Sequence, residues 1–374
     1  MPAVEAPPAL AVPIKPPPRP PGTTVTQRFV ALDAYRGFIM IVLAASGFGF
    51  AALKNHPTWG VVAHQFDHVD WEGGVFWDMI QPAFMFMVGV AMPFALARRV
   101  EQGATFGENL KHVAVRAFRL LLLSQILSCV SGGKLTFQLI NVLSQMAFTY
   151  FICFLVMQLK WRSQVIAAVL LLAGHWALFL AFPGPDGAFS KDHNIGDVID
   201  KALLGYNYSG NYVTINFISS TVTTLFGAWA GMLLQSARSH TEKSRILAIG
   251  MVAAFAGGLA LSIWNPLVKR IWTASFTLYS TGWVVFMLIG FYWLIEVKGW
   301  RRWAFPLVVV GMNSIFIYSI GQVLKGWIDR AVAVFTFRYT FIGDLAPVAQ
   351  ATTVLLVMWY LCYWLYQRKI FFKL

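Results

Sequence analysis

His68 lies in a polar, aromatic stretch, His64-Gln65-Phe66-Asp67-His68-Val69-Asp70-Trp71, that leads into a long apolar segment. That segment carries Asp78 and Gln81 near its start and ends on Arg98 and Arg99. An imidazole with an ordinary pKa of ~6.5 can take a proton at neutral pH. As a general base it typically contributes about 10²–10⁴-fold in rate; as a nucleophile it can carry an acyl group. On residue type alone, a loop histidine that only hydrogen-bonds is the plainer reading. Asp78 is costly in an apolar segment unless it faces a partner or a wet cavity. It either pairs with a basic residue or caps a helix, or, facing the cavity, it orients His68 or an acceptor. His64 and His68 are four apart, which on one helix makes half a metal site. No third ligand stands out, so no metal is expected.

Other polar groups fall where a membrane-embedded site would use them. Asp33 and Arg36, three apart in Leu32-Asp33-Ala34-Tyr35-Arg36-Gly37, share a helix face and can pair. They form either a local ion pair at the cytoplasmic interface or a site for an anionic cofactor. Neutral groups recur later: Asn141, Ser144 and Gln145, then Asn265, then Asn313 with Ser314 and Tyr318. Each can satisfy a helix–helix hydrogen bond; together they can line a polar cavity. Trp71, Asn265 and Asn313 are the candidates for holding an acceptor. His175, alone in an apolar span, reads as packing or a hydrogen bond.

The elements that must position these groups are membrane helices. Of 374 residues, 58% are hydrophobic and 12% charged, which excludes an ordinary soluble domain. The net charge of +13 comes from short Lys/Arg clusters between apolar runs, as the positive-inside rule produces, so nucleic acid is not an expected partner. Cys129, Cys153 and Cys362 lie in apolar segments and suggest neither a disulfide framework nor a metal site. Residues 1–27 are proline-rich and predict a disordered cytoplasmic tail without a cleaved signal peptide. Ten apolar spans follow, at roughly 29–53, 74–97, 113–131, 137–158, 164–182, 214–235, 245–264, 275–296, 304–324 and 347–367. Ala331–Phe341 reads as a weaker, re-entrant or interfacial segment. The predicted fold is an all-α, polytopic transmembrane bundle over residues 28–374.

With ten spans, Arg28, Arg98/Arg99/Lys111, Lys160/Arg162, Arg238/Lys243/Arg245, Lys298/Arg301/Arg302 and Arg368/Lys369/Lys373 share one side, which should be cytoplasmic with both termini. The His64–Trp71 and Pro183–Tyr212 loops fall on the other side. Lys269 and Arg270 also fall there, against the rule. Gly227-x3-Gly231 predicts a close helix contact. No internal repeat is seen, which counts against a secondary transporter.

Read together, Leu32-Asp33-x-Tyr35-Arg36-Gly37 and His68-x-x-Trp71-x-Gly73-x4-Asp78-x3-Pro82-x-Phe84-x-Phe86-x-x-Gly89 resemble the heparan-α-glucosaminide N-acetyltransferase family of membrane acetyltransferases. Asn265-x5-Trp272-Thr273-x-Ser275-Phe276 and Gly311-Met312-Asn313-x4-Tyr318 extend the likeness over most of the chain from about Arg28. The resemblance implies acetyl transfer from cytoplasmic acetyl-CoA to an amino sugar across the bilayer. It matches His68 to the family's catalytic histidine, and Asp33 and Asp78 to acids in the family motifs. There are departures. Ser46-Gly47 stands where many relatives have Asn, and the usual Gly-Val-Leu-Gln-Arg reads Asn141-Val142-Leu143-Ser144-Gln145, without the Arg. No counterpart of the animal enzyme's large lumenal domain is expected from these residues, so the expected acceptor is a bacterial envelope glycan, or another amine or hydroxyl, rather than heparan sulfate.

The sequence therefore predicts an integral-membrane, acetyl-CoA-dependent acyltransferase, with a bacterial inner membrane as its expected place. His68 and Asp78 are its catalytic candidates, Asp33 and Arg36 its donor-binding ones. Expected partners are the lipid bilayer, acetyl-CoA, an extracytoplasmic sugar or glycan, and a second copy of the chain as a homodimer. The alternatives are a non-enzymatic carrier or flippase of a glycan or lipid-linked sugar, and a degenerate relative that binds without turnover.

Overall fold

The computed structural model describes residues 29–208 and 210–372. The tail expected at residues 1–27 lies outside them. Fourteen α-helices are described: α1 (Val30–Ala44), α2 (Gly60–Gln65), α3 (Ile80–Glu101), α4 (Phe106–Gly132), α5 (Val142–Met157), α6 (Trp161–Ala181), α7 (Ile195–Leu204), α8 (Phe217–Gln235), α9 (His240–Leu261), α10 (Ala274–Tyr292), α11 (Phe305–Met312), α12 (Ser314–Val323), α13 (Lys325–Thr336) and α14 (Ala346–Gln367). Among the described residues, eight helical stretches are long and apolar enough to cross a bilayer. A ninth is the pair α11 and α12, bent by 67°. The chain is an all-α integral membrane protein.

Each of the ten predicted spans has its helix. The fourth, α5, has 16 residues, about 24 Å at 1.5 Å per residue, so it is short for a crossing. The last apolar stretch, Lys325–Gln367, includes α13 and α14. Between them Phe337, Arg338 and Tyr339 take φ of +49°, +53° and +54°. The weaker segment expected at Ala331–Phe341 falls on this break and is not a further span.

Local sequence sets the boundaries. Thr105 and Glu108 form a capping box at the start of α4, and Ser239 and Glu242 form another at α9. Asn141 caps α5 by accepting from the Ser144 amide at 3.0 Å. α4 closes on Gly133, whose φ of +62° suits glycine.

Packing in the middle of the bundle depends on missing side chains. A Cβ on Gly227 would lie 2.0 Å from the Phe86 carbonyl oxygen, and one on Gly231 2.3 Å from that of Val90. This is the close contact expected at the pair, made between α8 and α3. Gly311 meets the Asp33 carbonyl in the same way at 1.9 Å, joining α11 to α1. Bilayer tails are as apolar as leucine, so close backbone approach is what such interfaces have to gain. Gly227→Val should force α3 and α8 apart and cost about 1–3 kcal/mol or more; thermal unfolding of the purified variant measures this.

Candidate active site at the mouth of the bundle

Three loops close over one end of the bundle. The segment leading to α3 is tied to the 262–273 loop by a bridge between Glu72 and Val268, and by the Gly73 amide donating to the Leu267 carbonyl at 2.7 Å. Trp71 Nε1–H donates to the Phe189 carbonyl in the long 183–213 loop at 2.9 Å, and Lys191 pairs with Asp70 at 2.8 Å. Arg270 donates to the Gly210 carbonyl at 3.0 Å. These loops are the ones that alternate counting of the spans puts on one side.

Asp78 lies in a short 3₁₀ turn, Phe76–Met79, that opens into α3. It is 1% exposed, and the Val75 amide donates to its Oδ2 at 3.4 Å. His68 reaches it from the loop, with Nδ1 2.6 Å from Asp78 Oδ1. A carboxylate only accepts, so Nδ1 carries the shared proton and Nε2 is left as the basic nitrogen. The His68 side chain is 37% exposed while its partner acid is buried, so the ring spans the boundary between mouth and core.

Lys269 completes the cluster. Its Nζ lies 3.4 Å from Asp78 Oδ1 and 3.4 Å from His68 Nδ1, with the side chain 6% exposed. Its loop is fixed by Thr273, whose hydroxyl donates to Pro266 O at 2.7 Å and accepts from the Val268 amide at 3.1 Å. Burial lowers the Lys269 ammonium below the usual lysine range, and the Asp78 charge opposes the shift. Between the lowered value and the usual ~10.4, the unfolded chain binds more protons than the folded one, so this group makes stability rise with pH across that window. The penalty is fully present below the window. The difference in melting temperature between wild type and Lys269→Met, followed from pH 7 to pH 10, should therefore shift in favour of the wild type as pH rises.

Below the cluster runs a buried neutral chain. Gln81, one turn along from Asp78, donates to Gln145; Gln145 donates to Asn216; and Asn216 donates to the Arg270 carbonyl at 3.4 Å. Gln145 is fully buried, and it stands where the family pattern has the missing Arg. The departure noted in the sequence is thus filled by an uncharged bridge between α3, α5 and the start of α8.

The remaining candidates from the sequence sort by place. Trp71 is at the mouth, but its N–H is committed to joining two loops. Asn265, 1% exposed, accepts from the Ser275 amide at 3.0 Å and so shapes the Lys269 loop. Asp33 and Arg36 form the expected ion pair at 2.8 Å, far along α1 from the mouth. Asn313 is not brought to His68. It sits at the α11–α12 bend, two residues from the Gly311–Asp33 contact, donating to Ile370 O and accepting from the Phe372 amide, each at 3.1 Å. His64 is on α2, which ends at Gln65, so it shares no helix with His68. His175 is 2% exposed and packs its ring 4.9 Å from that of Phe179.

Residue types and spacing do not single out Lys269 as a site residue. A signal is present in the sequence nonetheless: a lysine on the side of the membrane where the charge rule does not place one.

Residues 28–190 match the family model described as "Heparan-alpha-glucosaminide N-acetyltransferase, catalytic", a region that includes His68 and Asp78. The chain is 22% identical to heparan-alpha-glucosaminide N-acetyltransferase of Homo sapiens over 421 aligned positions, covering 93% of this chain and 60% of that protein. It is 21% identical to the Mus musculus protein of the same name over 418 positions, with the same coverage. The chain thus spans about 60% of the length of these curated relatives. It resembles the heparan-α-glucosaminide N-acetyltransferase family over residues 28–190, and these two proteins over 93% of its length.

Proposed function

We propose that the protein is a membrane-bound acetyltransferase that moves an acetyl group from cytoplasmic acetyl-CoA to an amino sugar or related glycan acceptor on the extracytoplasmic face. The observation that carries this is the His68–Asp78–Lys269 cluster, a base oriented by a buried acid at the loop-covered end of a membrane bundle. Asp78 holds the ring so that Nε2 is free. Lys269 supplies the acid's counter-charge, so the base and its orienting group sit in an electrically balanced cluster.

The chemistry follows from this arrangement. The thioester arrives activated, and alignment of donor and acceptor supplies much of the acceleration. As the acceptor nitrogen attacks the acetyl carbonyl, Nε2 takes its proton. The new C–N bond forms, the C–S bond breaks, and the proton on the imidazolium passes to the departing CoA sulfur. Trp71 and the loop it pins form the wall that an acceptor meets. Arg36, a third exposed beside Asp33 at the opposite end of the bundle, is the group that would meet the donor's phosphates.

The test is purified protein in liposomes, given acetyl-CoA labelled in the acetyl group and a panel of amino sugars. Release of free CoA with label on the sugar is the expected result. A carrier or flippase would move the sugar without releasing CoA, and that outcome would replace this reading.

A further inference from the structure

At the opposite end of α3 from Asp78, the start of α4 folds back beside an open cleft of about 540 Å³ lined by Arg99, Lys111, His112, Val115 and Arg119. Arg99 is fixed in place: its Nε–H donates to Oδ1 of the buried Asn109 at 2.8 Å. Glu108, the acid in the lining, is occupied by the Thr105 amide at 2.7 Å and hydroxyl at 3.0 Å as part of the helix cap. Lys111 and Arg119 have no ion-pair partner among the described residues. The cleft therefore presents three cations against one engaged carboxylate, which suits a phosphate.

Its surroundings say what carries that phosphate. Lys111, Val115 and Arg119 follow at four-residue steps and share one stripe of α4. Next to that stripe the helix is apolar and bare, with Phe118 64% exposed, Leu122 48% and Ile126 50%. Arg119 immediately precedes the uninterrupted apolar run Leu120-Leu121-Leu122-Leu123. An arginine at such an edge snorkels to polar headgroups. In the bilayer the apolar stripe faces lipid tails, so the cleft borders the lipid as well as the water. A phosphate with acyl chains attached fits both sides of that border.

We propose that this cleft binds the headgroup of an anionic phospholipid, with Arg99, Lys111 and Arg119 on the phosphate and the acyl chains lying along the exposed face of α4. Basic pockets between membrane helices take such headgroups by this electrostatic rule. The site is separate from the His68 cluster and does not rest on the acetyl-transfer reading.

Native mass spectrometry of the full chain in detergent, titrated with phosphatidylglycerol or phosphatidylcholine, tests this. Phosphatidylglycerol should be retained preferentially. Its affinity should fall about thirty-fold in the Lys111→Gln/Arg119→Gln variant, each cation being worth about five-fold near an anionic headgroup. Phosphatidylcholine binding should not change, and Arg119→Lys should keep most of the affinity, which separates lost charge from lost fold. Equal retention of the two lipids would overturn the proposal. So would unchanged phosphatidylglycerol affinity in the double variant, or displacement of phosphatidylglycerol by soluble CoA, which would give the cleft to a soluble phosphate.

Discussion

His68→Ala should lower acetyl transfer by about 10²–10⁴-fold, the usual contribution of a positioned general base, while the protein stays folded and inserted. The ring is over a third exposed, so its removal leaves no large cavity. It does leave Asp78 buried beside Lys269, still paired at 3.4 Å, so the acid keeps a counter-ion and stability should change little. The loss should fall on kcat, because the proton moves only as the acceptor attacks. Kinetics with labelled acetyl-CoA, alongside a thermal melt, separate lost chemistry from lost fold.

Asp78→Asn should cost a comparable factor by a different route. The amide is nearly the same size, but it offers an N–H where the carboxylate offered only acceptors, so it can present the wrong partner to Nδ1 and turn Nε2 from base to donor. In histidine–carboxylate catalytic sites this exchange drops kcat by about 10⁴ with the geometry intact. Here it also leaves the Lys269 ammonium buried without its anion, and breaking a buried pair from one side costs about 3–5 kcal/mol. The double variant Asp78→Asn/Lys269→Met should therefore recover stability that Asp78→Asn loses, without recovering activity. Recovery of both would mean that the acid serves the fold and not the base.

The architecture is legible in the sequence because its signals are long. Each span repeats the same apolar instruction over some twenty residues, and cations between spans mark the sides. Gly227 and Gly231 are legible because two small residues four apart favour a close crossing. What escapes is short and long-range. Lys269 meets His68 across 201 residues of chain, and no local pattern announces such a pairing; only its breach of the charge rule hints at it. Asn265 and Asn313 group together as acceptor ligands because residue type is blind to place. The fold commits the first to shaping the Lys269 loop and the second to the far end beside Gly311. The bend at Asn313 is hidden because both halves of the span are apolar, and hydropathy does not register direction. The α4 cleft escapes because its cations are absorbed into the count that sets orientation.

Sealed, oriented membrane vesicles give the most direct test of a base at one face served by a donor from the other. With labelled acetyl-CoA supplied only on the side bearing Arg36, and an impermeant amino sugar only on the side bearing His68, label should accumulate on the sugar in wild-type vesicles and not in His68→Ala vesicles. Equal labelling by the variant, or labelling only when donor and acceptor share a side, would contradict it.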